Sequence, residues 1–500
     1  MGKYWDNCLS SIIAVPVQTR QTLRRAVTGK HSISDDSITR GPIIGNGNGN
    51  GASHIMNSDE RSALLGHHRS LSSTSQGPES TFHHFFFNRT STPGTDSHNL
   101  LLRWPAQIWH VTKVTLLSSW INVLLVFVPI GIISGKLHWA APWVFTLNFF
   151  AIIPLAAVLS FATEEIAVRL GETLGGLVNA TFGNAVELIV SIVALRAGEI
   201  EIVQASMLGS ILSNLLLVLG MCFFLGGIYN MRSPNGEGRE QSFSSGTAQT
   251  TCSLMALASA SMILPAALYG VLDKADEHNK EASILVLSRG TAIILLFLYV
   301  MYLYFALHTH TKLFEPEAQA DPDSDEPGPE EHSPVMGPWS AAFVLVVTTL
   351  IISVNADYMV DSIDALVATG KISKTFIGLI LIPIVGNAAE HVTACVVAVK
   401  NKMDLAMGVA IGSSIQIALL VTPALVMLGW AIGQPMTLHF ETFETVAFAL
   451  SVLVVTYTVQ DGRSNYLEGA MLLGLYMIIA LAFWASPGDA ISKALEAFSS

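Results

Sequence analysis

Two glutamates stand where an apolar chain can least easily hold them. Glu187 lies in Gly183-Asn184-Ala185-Val186-Glu187-Leu188-Ile189 and Glu390 in Gly386-Asn387-Ala388-Ala389-Glu390-His391-Val392. Each sits near the middle of a mostly uncharged stretch long enough to cross a bilayer. A charge at that depth costs roughly 2.5–3.5 kcal/mol on insertion scales, so a chain that carries it twice in matching contexts has a use for it. Helical spacing puts Asn184, Glu187 and Ser191 on one face and Asn387, Glu390 and His391 on the equivalent face of the second stretch. Two such stripes must face each other or water rather than lipid.

The chemistry this favours is the handling of a hard cation. Calcium takes about six to eight oxygen ligands from carboxylates, carbonyls and water. Glu187 and Glu390 would neutralise its charge. Backbone carbonyls freed around Gly183 and Gly386, the amides of Asn184, Asn387 and Gln416, and the hydroxyls of Ser210 and Ser413 would fill the shell. A transition metal is less well served, because His391 is the one nitrogen ligand in the heptads and no thiolate pair is present. The same two carboxylates also suit protons, since a carboxylate taken out of water without a cation tends to take one up. A site holding either one divalent cation or protons, and moving only when occupied, is an antiporter. His391, with an unperturbed imidazole pKa of about 6.5, serves either as a proton carrier or as an interhelical hydrogen-bonder. The glutamates read as mere helix-packing glue would not need to recur after Gly-Asn twice. For Ser210 and Ser413, close packing by small residues and ligation both remain open.

The elements that position these residues are predicted to be eleven spans, at 112–134, 141–162, 176–197, 203–227, 249–271, 286–308, 338–358, 374–399, 404–430, 443–460 and 466–485. Glu187 and Glu390 stand 203 positions apart, and the same offset carries Gly209-Ser210-Ile211-Leu212-Ser213-Asn214 onto Gly412-Ser413-Ser414-Ile415-Gln416-Ile417. Acidic pairs upstream, Glu164-Glu165 and Asp361 with Asp364, match if a gap is allowed. Pro383 before Gly386, and Gly175-Gly176 before Gly183, predict broken helices at the site. Five spans per copy is an odd number, so the second copy enters the membrane from the opposite side. The expected fold is an all-α membrane protein with two inverted five-helix repeats, 141–308 and 338–485, and one extra helix, 112–134, ahead of them.

Composition agrees. The 500 residues are 51% hydrophobic and 13% charged, with a mean hydropathy of +0.50, too apolar for a soluble domain. The net charge of −12 owes much to the segment 311–337, expected to be an acidic cytosolic linker or a regulator that attracts cations, and it does not indicate nucleic acid. Four scattered cysteines form no disulfide framework or zinc spacing, and no cofactor is implied. Residues 1–105, rich in Ser, Gly, Asn and His, are expected to form a disordered tail that includes an aromatic cluster at Phe82–Phe87 and a sequon at Asn88. No cleavable signal peptide is expected, and the first span would act as its own anchor. Ten Lys and Arg between Lys3 and Arg103 favour a cytosolic N-terminus.

The two heptads resemble the paired signature repeats of the vacuolar calcium/proton exchangers, within the cation/calcium exchanger superfamily. The acidic segment between the sixth and seventh spans and the extra first helix are similar to that family too, over about 110–485. The resemblance implies calcium moved into the vacuole against protons by alternating access, with calcium bound between Glu187 and Glu390. The partners implied are calcium, protons and the bilayer. A sodium/calcium exchanger usually carries an aspartate in its downstream repeat, where this chain has Glu390 followed by His391. A channel builds glutamate rings from several subunits, whereas this chain supplies its own inverted pair. An intramembrane metalloprotease needs His-Glu-x-x-His, which is absent here, so no enzyme is expected.

Overall fold

Long runs of apolar residues with few helix breakers fold as helices because in lipid every backbone N–H and C=O must be satisfied within the segment. The computed structural model describes residue 92 and residues 99–231, 238–271, 277–314, 334–369 and 372–485. Nearly all of the tail predicted over 1–105, with its aromatic cluster and sequon, and most of the linker 311–337 lie outside the described residues.

The helices that matter here are α1 (Leu100–Leu116), α2 (Phe127–Lys136), α3 (Ala141–Phe182), α4 (Ala185–Ala197), α5 (Ile200–Leu212) and α6 (Leu219–Asn230). They are followed by α7 (Ser245–Val271), α8 (Glu277–Tyr304) and α9 (Pro338–Asp361). The last are α10 (Ile382–Gly386), α11 (Ala388–Val399), α12 (Met403–Gln416), α13 (Thr422–Ile432), α14 (Thr442–Thr458) and α15 (Tyr466–Ala485). Among the described residues seven helices are long and apolar enough to cross a membrane, and two bent pairs bring the number to nine. The 17-residue α14 and the stretch that ends in α4 are shorter apolar elements in the remaining two predicted positions. Exposed side chains follow helical spacing where a helix faces lipid. On α9 they are Trp339, Phe343, Val346, Leu350 and Val354, while Ile352, Asn355, Ala356 and Met359 on the other side are buried.

The repeat is visible in the backbone itself. At the offset of 203, α4 and α11 begin at Ala185 and Ala388, and α5 and α12 at Ile200 and Met403. Widened turns over Ser213–Val218 and Ile417–Val421 follow in both halves, and Gly198 and Asn401 both have positive φ, 83° and 59°.

The connections gather into two sets. At one end Lys374 pairs with Glu199 and Asp364 at 3.0 and 2.6 Å, and Gln204 Nε2 donates to the carbonyls of Thr437 and His439. At the other end β1 (Gln241–Ser242) pairs antiparallel with β2 (Arg463–Ser464). There Gln241 Nε2 donates to the Ala398 carbonyl, the Ser244 N–H donates to Asp404, and Thr247 donates to the Leu313 carbonyl. Glu165 accepts from the N–H groups of Val335 and Met336 at 3.2 and 2.9 Å, and His110 Nε2 lies 3.3 Å from the Val335 carbonyl. Successive connections alternate between this Asp404 end and the Lys374 end. Each half therefore crosses an odd number of times, and the two halves are inverted. Glu165→Ala strips two N–H groups of their acceptor. It is expected to cost about 2 kcal/mol, read as a lower Tm in detergent, with no change if Glu165 is idle.

Two predicted details differ. The first span is not one rod over 112–134: the chain turns by 108° between Arg103–Leu116 and Trp120–Lys136. Asn122 Nδ2 donates to the Thr115 carbonyl at the end of α1, and Ser119 accepts from the Ile121 N–H at the start of the next turn. Polar side chains thus take up the backbone groups freed by the bend. The helix preceding Gly183 is broken at Gly171 (φ 78°, ψ 177°), not at Gly175 and Gly176. A φ in that range favours glycine, and nothing lies within 4 Å of a Cβ placed there.

Candidate functional site

Both heptads sit at a helix break. Asn184 (φ −99°, ψ 27°) and Asn387 (φ −90°, ψ 4°) leave helical geometry just before α4 and α11, and neither side chain caps its own helix. Glu187 and Glu390 fall in the first turns of these helices, where the N-terminal end of the helix dipole favours negative charge. Glu187 is 6% exposed and reaches across to the other half: a Cβ on Gly386 would lie 2.7 Å from its Oε1.

Around the carboxyls runs a relay of buried amides and hydroxyls that alternates between the halves. Asn214 Nδ2 donates to Ser413 Oγ (3.0 Å), Ser413 Oγ donates to Asn184 Oδ1 (2.8 Å), and Asn184 Nδ2 donates to Gln416 Oε1 (2.7 Å). His391 Nε2 lies 3.3 Å from Ser213 Oγ. Asn387 is fully buried, and Ser210 is 1% exposed on α5. The structure therefore joins Asn184, Ser413 and Gln416 in one hydrogen-bonded group and brings Glu187 against Gly386. The parts played by Ser213 and Asn214 were missed from sequence, although both stand in the segment that repeats at the 203-residue offset. Two polar residues ahead of the run Leu215-Leu216-Leu217 were the available signal.

A cavity of about 440 Å³ lies on the Asp404 side, lined by Glu164, Asp404, Gly183, Glu390, Ser413 and Gln416 among others. Toward the Lys374 end, by contrast, Glu187 is walled by Ile152, Val190, Met359, Ile382 and Val385. Among the described residues, Glu187 Oε2, Glu390 Oε2, Ser191 Oγ, Asn214 Oδ1 and both amide atoms of Asn387 are buried with no hydrogen-bond partner. Buried polar atoms are normally satisfied, and a bound group of complementary chemistry would satisfy these. All but one of the atoms are oxygens, the donor set of a hard cation, and a proton on either carboxyl would serve as well. No three His, Cys, Asp or Glu side chains gather into a metal-holding group among the described residues. The arrangement is thus two carboxylates with neutral oxygens, matched in charge to one divalent ion.

A sequence profile described as "Sodium/calcium exchanger protein" matches residues 140–308 and 340–485. This chain belongs to the sodium/calcium exchanger protein family. Within it, the chain is 50% identical over 377 residues to the "Vacuolar calcium ion transporter" of Schizosaccharomyces pombe, covering 75% of this chain and 87% of that one. It is 42% identical over 373 residues to the "Ca(2+)/H(+) antiporter" of Aphanothece halophytica, covering 73% and 96%. A crystal structure of the Ca2+/H+ antiporter protein YfkE, selenium-substituted, superposes with a TM-score of 0.60 at 34% identity, covering 73% of this chain and 99% of that one. As an exchanger, the chain is a transporter and not an enzyme.

Proposed function

We propose that this chain is a calcium/proton antiporter of the vacuolar membrane, in which Glu187 and Glu390 bind either calcium or protons and carry them across by alternating access. The observation that carries the reading is the pair of buried carboxyl oxygens without partners, Glu187 Oε2 and Glu390 Oε2, one from each inverted half. A buried carboxylate left unpaired is costly, and either a divalent ion shared by both or a proton on each removes that cost. Occupancy by one cargo excludes the other, which is the coupling an antiporter needs. Relatives that are 40–50% identical and named as vacuolar calcium or calcium/proton transporters support the cargo and the membrane.

The side chains present divide the work. Glu390, reached from the Asp404 end through the cavity, receives the ion. Glu187, walled from the Lys374 end, completes its charge. Asn184, Asn387, Ser413, Gln416 and Ser210, with the carbonyls next to Gly183 and Gly386, supply neutral oxygens as the halves move. His391 stands beside Glu390 as a route for the proton. The Asp404 end faces the cytosol in this reading, the side favoured for the N-terminal segment by its Lys and Arg content.

Proteoliposomes of the purified chain test this. With an acid lumen and no ATP, calcium uptake is expected to follow the pH gradient and to collapse with a protonophore. Uptake indifferent to pH indicates a channel, and uptake that requires sodium indicates sodium exchange. Either result overturns the proposal.

A further inference from the structure

The two halves should make matching hydrogen bonds, and they do not. At the offset of 203, Asn184 corresponds to Asn387, Leu188 to His391, Ser210 to Ser413 and Ser213 to Gln416. Asn184 is held on both amide atoms, by Ser413 at 2.8 Å and Gln416 at 2.7 Å. The mirror bonds would join Asn387 to Ser210 and Ser213. Asn387 is instead fully buried with neither amide atom partnered, and Ser213 meets His391 at 3.3 Å. Leu188, in the place of His391 in the first half, has no group to make such a bond. The asymmetry goes with the direction of access, because the cavity reaches Glu390 from the Asp404 end while apolar side chains wall Glu187 from the other.

We propose that Ser213 is a positioning residue of the exchange cycle: its hydroxyl bonds His391 in this state and Asn387 in the opposite-facing state, where Asn184 is released from Ser413 and Gln416. Transport by inverted repeats rocks one half against the other about a fixed site, so bonds made on one side in one state have mirror images in the other. A buried amide without partners costs more than a met one gains. That cost falls on Asn387 here and on Asn184 in the other state. His391 makes the two states unequal, because it occupies Ser213 only while the Asp404 end is open and so favours that state. The inference rests on the antiport reading and names a determinant of its energetics.

His391→Leu copies the first half, and Ser213→Ala removes the shared hydroxyl. Calcium KM is measured in sealed vesicles with calcium presented first to the Asp404 face and then to the opposite face. Apparent affinity scales with the population of the competent state. His391→Leu is therefore expected to raise KM at the Asp404 face about 5-fold, within the worth of one buried hydrogen bond, and to lower it at the opposite face. In the double variant with Ser213→Ala both shifts vanish. His391→Gln, which keeps an acceptor for Ser213, restores wild-type values, and His391→Ala replaces His391→Leu if the latter fails to fold. Shifts in the same direction on both faces, or shifts that persist without Ser213, overturn the proposal and leave the antiport reading standing. No proton-driven uptake by the wild-type chain overturns both.

Discussion

Glu187→Gln is expected to abolish proton-driven calcium uptake while leaving the chain folded. The substitution keeps the shape of the side chain and its place against Gly386, but it removes one of the two charges that balance the ion. At about 4 Å and an effective dielectric near 20, a unit pair is worth about 4 kcal/mol and a divalent ion gains more, so calcium affinity should fall by at least about a thousandfold. An amide also cannot take up and release the coupled proton, so exchange fails from the other side of the cycle as well. Glu390→Gln should do the same, since in the proposed mechanism the two carboxyls share one ion. Uptake is measured beside size-exclusion elution and Tm. A well-folded Glu187→Gln variant that keeps a tenth or more of wild-type uptake would place the ion elsewhere.

How much of this was legible in the sequence follows from where the information lies. The glutamates, the 203-residue offset and the odd number of spans per half are properties of residue type and order, and the inverted fold follows from them. The bend at residues 117–119 was not readable, because the apolar run continues through it and Ser119 and Asn122 reveal a cap only once their acceptors and donors are in place. The break was assigned to Gly175 and Gly176 because two adjacent glycines look like a weak point. Yet Gly171 takes the positive φ, while Gly175 and Gly176 lie within helix. Asn214 stands out in sequence only as a polar residue in the repeated segment, and its place in the site depends on Ser413, 199 residues away. Local pattern marks which residues are costly to bury. It does not say which of them meet.

Gly386→Ala is expected to separate transport from stability. A methyl group at residue 386 would lie 2.7 Å from Glu187 Oε1 and 3.2 Å from its carboxyl carbon. The atoms that must give way are the end of a flexible side chain, so the helices need not move and Tm should change little. The carboxyl nevertheless has to retreat by several tenths of an ångström against Ile152, Met359, Ile382 and Val385, which pack around it. A misplacement of about 1 Å in a preorganised site costs about a hundredfold in function, so a retreat of several tenths should lower calcium transport at limiting calcium by roughly tenfold. Gly474→Ala, with nothing within 4 Å of the new Cβ, is the matched control and should transport normally. A Gly386→Ala variant that transports like wild type would mean that Glu187 leaves Gly386 at the working stage of the cycle. A variant that fails to fold would mean that the close approach at Gly386 serves packing between the halves. Loss of transport in a stable protein is the one outcome that places the carboxyl of the first half and the break of the second in a single binding site.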